Sequence, residues 1–150
     1  MIGTLKTLFN EMNWLAIIAA TLAYYFIGAI WYSKILFGKT WMELANVQMT
    51  EETKKKMPMI MAGTFVISFV FATAIGLLSL AVTPLETGMT AKRCIELAVI
   101  VSGGIACMTV MLNGMYEGKP MKLLLINCGY NLVGSIAISL IVGMWRHNAG

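Results

Sequence analysis

Four apolar runs dominate this chain, at about 13–33, 58–82, 95–116 and 121–145. Each is near or above the roughly 20 residues needed to cross about 30 Å of hydrocarbon. In lipid such segments have to be helices, because every backbone N–H and C=O needs a partner within the segment. Of the 150 residues, 59% are hydrophobic and 12% are charged, whereas a soluble domain carries roughly 25% charged residues. So few charges cannot cover a globule of this size. An ordinary soluble domain, a disordered chain and a nucleic-acid binder are therefore excluded. The 3 Cys do not cluster, which excludes a disulfide framework. The expected fold class is all-α: an integral membrane four-helix bundle with a short interfacial helix in the first loop. No repeat or linker divides residues 1–150, so one transmembrane domain is expected.

The ends of the runs carry physical markers. Trp14 opens the first, Trp31 and Tyr32 close it, Tyr116 ends the third and Trp145 the fourth. Amphipathic rings of this kind sit at headgroup level. Pro58 is expected in the first turn of the second helix, where a missing N–H is tolerated. Thr83-Pro84 ends that helix and Pro120 starts the fourth. The N-terminal run is longer than a signal-peptide core and reads as an uncleaved first span. In the first loop, Ile35–Leu44 mixes apolar rings with Lys39, the pattern of a helix lying in the interface. Thr50, with Glu51 and Glu52 behind it, is a candidate N-cap.

Basic residues divide unequally between the two membrane faces. Lys6, Lys92, Arg93 and Arg146 fall on one side; Lys34, Lys39, Lys54, Lys55, Lys56, Lys119 and Lys122 fall on the other. The positive-inside rule then puts the first and third loops in the cytoplasm and both termini outside. The lysine run reads as a topology signal in contact with anionic lipids.

Lipid gives helices no hydrophobic reason to associate, so small residues mark the contact faces. Asn127, Asn131, Ser135, Ser139 and Gly143 recur every four residues and suggest one nearly straight polar-to-small stripe. Similar rows are Ala16, Ala20, Tyr24, Gly28 in the first span and Thr64, Ser68, Ala72, Gly76 in the second. The third offers Val99, Gly103, Cys107, Met111, with Ser102 and Ala106 beside them. Gly103-Gly104 reads as a point of close helix packing. At about 1.5 Å per residue, Tyr24, Tyr25 and Asn131 fall near the midplane. One of the two tyrosines is expected to partner Asn131, since an unbonded amide in hydrocarbon is costly. The stripe is either glue between helices or a polar lining for a ligand.

Reactive chemistry is sparse. Glu96 is the one carboxylate near a span interior, expected in the first turn of the third helix beside Lys92 and Arg93. The single His, His147, lies in the tail, so no Ser-His-Asp arrangement is available. Cys94, Cys107 and Cys128 lack the spacing of zinc or iron–sulfur ligands. Neither an enzyme nor a cofactor is expected. Met108, Met111 and Met115 share a helix side next to Cys107; thioethers suit Cu(I), but Met is also a common gap filler.

Asn13-Trp14-Leu15-Ala16, Gly28-Ala29-Ile30-Trp31-Tyr32-Ser33 and Phe37-Gly38-Lys39-Thr40-Trp41-Met42 form one recognisable set. Tyr116-Glu117-Gly118-Lys119-Pro120-Met121-Lys122-Leu123 and Ile126-Asn127-Cys128-Gly129-Tyr130 form a second. Together, over about 13–145, they resemble a bacterial membrane family catalogued as domain of unknown function 1761. The resemblance implies a Pro at the position of Lys34, so the end of the first helix is expected to be less sharply broken here. The resemblance implies a small multi-span protein of the bacterial inner membrane and no particular activity. Its motifs contain Tyr32, Lys39, Trp41, Glu117, Lys119 and Asn127, all expected at the cytoplasmic face. Glu117 either pairs with Lys39, or the lysines and aromatic rim form a pocket for an anionic headgroup or small anion. The functional expectation is binding or passage of a small solute or lipid by a homo-oligomer. The alternative is an accessory subunit of a larger membrane complex.

Overall fold

The computed structural model describes residues 5–83 and 88–145; Pro84, Arg146 and His147 lie outside the described residues. The elements are α1 (Leu5–Asn10), α2 (Trp14–Trp31), α3 (Gly38–Leu44), α4 (Glu51–Val82), α5 (Ala91–Val99), a π-helical segment (Ile100–Cys107), α6 (Met108–Tyr116) and α7 (Met121–Met144). The α5, π and α6 pieces form one span, Ala91–Tyr116. With α2, α4 and α7 it makes 4 helices, among the described residues, long and apolar enough to cross a membrane. Among the described residues there is no strand, and the fold is all-α.

The fourth span is the hub. It packs against α2, against α4 and along the third span. The end of the bundle nearer the chain termini is tied by hydrogen bonds to the main chain. Asn13 caps α2 by accepting from the Ala16 N–H (3.1 Å), and its Nδ2 donates to the Trp145 carbonyl (3.0 Å). The Met89 N–H donates to the Gly143 carbonyl (3.1 Å). Ile17, Ala72, Ile75 and Ile138 are fully buried here. Small-residue rows carry these contacts as expected for Ala16, Ala20 and Tyr24 in α2 and for Ser68, Ala72 and Gly76 in α4. Thr64 is exposed, and so is nearly all of α4 from Glu51 to Ile67.

Three local expectations are corrected. First, α4 begins at Glu51, so Pro58 lies inside the helix and the lysine run is helical. The reason is local: Thr50 accepts from the Thr53 N–H, and Lys54–Glu51 (2.7 Å) and Lys56–Glu52 (2.6 Å) brace the first turns. Pro58 removes the bond to the Lys54 carbonyl, but on an exposed stretch of helix where solvent can satisfy it. Second, Thr90 caps α5 one turn earlier than expected, which puts Glu96 in the second turn. Glu96 stands 3.9 Å from Lys92, with both side chains exposed.

Third, Gly103-Gly104 is not a packing point. Buried positions in this span step by four through Cys94, Ala98 and Ser102, and then by five to Cys107. Ser102 Oγ and Cys107 Sγ lie 3.8 Å apart. An i,i+5 pair meets on one face only where the helix widens into a π turn. The slip of one residue turns Val99, Gly103 and Gly104 away from α7. A Cβ added at either glycine would meet nothing within 4 Å.

Candidate functional site

At the lysine-rich end, α2 hands over to α3 through a tight turn. The Phe37 N–H donates to the Trp31 carbonyl (3.0 Å) and the Gly38 N–H to the Ser33 carbonyl (2.9 Å). A Cβ at Gly38 would run into the Tyr32 and Ser33 carbonyls, so the turn requires glycine. The turn brings Tyr32 and Trp41 to the same point on α7. Tyr32 OH (3.0 Å) and Trp41 Nε1 (3.2 Å) both donate to Asn127 Oδ1. An indole N–H can only donate, which fixes the Asn127 amide with its oxygen toward Trp41. One ring away, Trp31 Nε1 donates to the Ile126 carbonyl (3.0 Å).

The network continues toward the midplane. Asn131 Nδ2 donates to the Asn127 carbonyl (3.0 Å), and Tyr24 OH donates to Asn131 Oδ1 (3.3 Å). Tyr130 OH donates to the Tyr24 carbonyl (3.4 Å). Of the two expected midplane tyrosines, Tyr24 reaches Asn131. Tyr25 instead sets its ring edge-on against Phe65, 5.8 Å between centroids. Close approach of α2 and α7 depends on rings lying over glycines: Trp31 over Gly129, Tyr24 over Gly134 and Tyr130 over Gly28.

The polar residues of α7 do not form one straight stripe. A step of four residues turns a helix through about 400°, so the row drifts by about 40° per step. Asn127 and Asn131 face α2. Ser135 and Ser139 lie in the sector of Cys128 and Gly143, whose neighbours belong to the third span. Cys107 Sγ donates to the Cys128 carbonyl (3.5 Å), Cys128 Sγ donates to the Cys107 carbonyl (3.7 Å), and Cys94 packs on Gly143.

Among the described residues, Lys39 and Glu117 form no ion pair. Glu117 is the C-cap of α6, Gly118 has φ +66°, and the Lys119 N–H donates to the Gly114 carbonyl (2.8 Å). This is a backbone-closed helix terminus, with both side chains turned to solvent. Lys39 instead lines an open groove of about 540 Å³ with Lys34, Met42, Glu43, Val47 and Met49. The sequence reading missed Lys34 as a site residue, although two lysines flanking the Phe37-Gly38 turn were there to be seen. Met108 and Met115 are exposed, Met111 is half-buried, and Cys107 is buried toward α7.

Four apolar helices of membrane length, with an aromatic–amide latch and a cationic groove at one rim, define a small multi-span membrane protein. The chain matches the family described as protein of unknown function (DUF1761) over residues 15–143, and it belongs to that family. No curated protein and no solved structure matches it. Trp31, Tyr32, Gly38, Trp41 and Asn127, which carried the resemblance, are the residues that build the latch and its turn.

Proposed function

We propose that this protein is a non-catalytic bacterial inner-membrane protein that holds an anionic amphiphile of the phospholipid class at its lysine-rich rim, and that this rim faces the cytoplasm. The observation that carries the reading is the groove on α3, with Lys34 and Lys39 beside the apolar side chains of Met42, Val47 and Met49. Among the described residues neither ammonium group is engaged in an ion pair. A phosphate between two lysines with acyl chains along the apolar wall uses both halves of that surface. Glu43, also in the groove, disfavours a ligand of higher negative charge. The excess of lysine at this end supports the orientation.

Each lysine near a charged membrane surface contributes about 1 kcal/mol, so two together give a preference of roughly tenfold to thirtyfold. Native mass spectrometry of the purified chain with short-chain phosphatidylglycerol against phosphatidylcholine measures it. The Lys34→Gln/Lys39→Gln variant is expected to lose the anionic preference. An unchanged preference in that variant ends the proposal.

A second reading is that the bundle works as a homo-oligomer or as an accessory subunit of a larger complex. It is favoured by α4, which from Glu51 to Ile67 has almost no cover from the rest of the chain. A mass measurement in mild detergent separates the two: one chain per particle argues against it, and a defined multiple or a co-purifying partner supports it.

A further inference from the structure

Hydroxyl groups inside membrane helices usually bond back to a carbonyl of their own helix. Thr21, Thr64, Ser68, Thr73 and Thr109 all do so here, donating to the carbonyl four residues earlier at 2.7–2.9 Å. Ser135 and Ser139 do not. Both are completely buried, and neither Oγ has a hydrogen-bond partner among the described residues. Ser102, equally buried, has Cys107 Sγ as its one hydrogen-bond partner among the described residues.

The register of the third and fourth spans sets these three at neighbouring depths. The spans run antiparallel, with Cys94 on Gly143, Cys107 on Cys128 and Gly114 on Leu124. That register sets Ser102 level with Ser135, and Ala98 level with Ser139. The π turn holds Ser102 on the α7 side, where a small alanine neighbours it one turn away. Two buried hydroxyls left unbonded are a costly pair, which a guest able to donate and accept would satisfy. Ordered internal water typically makes about three hydrogen bonds to groups of this kind.

We propose that Ser102, Ser135 and Ser139 hold a buried water molecule between the π-helical segment and α7. The site is separate from the rim groove and stands whether or not that groove binds a lipid. It gives the widened turn a reason: the five-residue step keeps Ser102 and Cys107 together on the α7 side. Water also serves both serines of α7 without a bond to their own helix.

Water-edited solid-state NMR of the full chain in lipid bilayers tests this directly. Magnetisation from water is expected to reach Ser135 and Ser139 several-fold faster than Ile138, which lies between them on α7 and is equally buried. Equal build-up at Ser135, Ser139 and Ile138 overturns the proposal. In Ser135→Ala/Ser139→Ala, transfer to Ser102 is expected to fall to the Ile138 level, and persistence of fast transfer there also overturns it. If that double variant does not fold, the comparison within the unaltered chain decides alone.

Discussion

Gly38→Ala is expected to lift α3 off the bundle and to destabilise the protein by about 3 kcal/mol, at the upper end of what overpacking usually costs. The new methyl would meet the main-chain carbonyls of Tyr32 and Ser33, not the ends of movable side chains. The Ser33 carbonyl is committed, accepting from Leu36 and from Gly38 itself, and the turn is further closed by Phe37 donating to the Trp31 carbonyl. Relief therefore requires opening the turn, and with it go Tyr32 and Trp41 from Asn127. Elsewhere in a helix the same substitution has the opposite sign, because Ala loses less backbone entropy on folding than Gly. Gly63 in α4 supplies the control: a Cβ there meets nothing within 4 Å. Gly63→Ala is expected to be neutral or to stabilise by about 0.5 kcal/mol. Thermal unfolding in detergent compares the two, with Trp41 fluorescence reporting exposure of the ring once Trp14, Trp31 and Trp145 are replaced by Phe in both backgrounds. A Gly38→Ala protein as stable as the Gly63→Ala one would remove the steric account.

The spans were legible because their lengths and aromatic ends follow from the bilayer itself. Trp14, Trp31 and Tyr116 stand at observed helix boundaries, and Trp145 caps the end of α7. Departures arise where a local cap competes with a global pattern. Thr50 and Thr90 start their helices upstream of the apolar run, since a cap and its ion pairs act before any lipid is reached. The π turn was hidden for a different reason. A four-residue row through Gly103 and one through Ser102 are equally regular in sequence, and only packing against Cys128 selects the path through Ser102 and Cys107. The row on α7 misled in the same way, because recurrence every four residues is not a straight line on a helix of 3.6 residues per turn. Charges at the rim were the least legible. Pairing of Lys39 with Glu117 is plausible from loop position alone, but the backbone-closed terminus at Gly118 turns Glu117 outward.

Asn127→Leu is expected to cost about 2 kcal/mol, and its consequences reach beyond stability. Leu keeps the branching of Asn but is bulkier, so the substitution adds some overpacking to the loss of an acceptor. Two donors, Tyr32 OH and Trp41 Nε1, depend on the one oxygen removed. Stranding a buried donor costs about 1–3 kcal/mol, while polar contacts between membrane helices average nearer 0.6 kcal/mol. Tyr32 and Trp41 are half-buried, so solvent recovers part of the loss and the lower half of the range applies. A double-mutant cycle isolates the bond from the ring. Trp41→Phe removes the indole N–H together with some packing, and the packing part cancels in the cycle. A coupling of about 1 kcal/mol between positions 41 and 127 is expected; strictly additive losses would show that the latch contributes nothing. The link to function is mechanical. Trp41 lies on the same short helix as Lys39 and Met42, so the bond that holds Trp41 also sets the wall of the groove. Asn127→Leu should therefore weaken the preference for an anionic lipid even though Asn127 does not line the groove. Retention of the full preference by a folded Asn127→Leu protein would separate the latch from the groove and leave it a purely structural clasp.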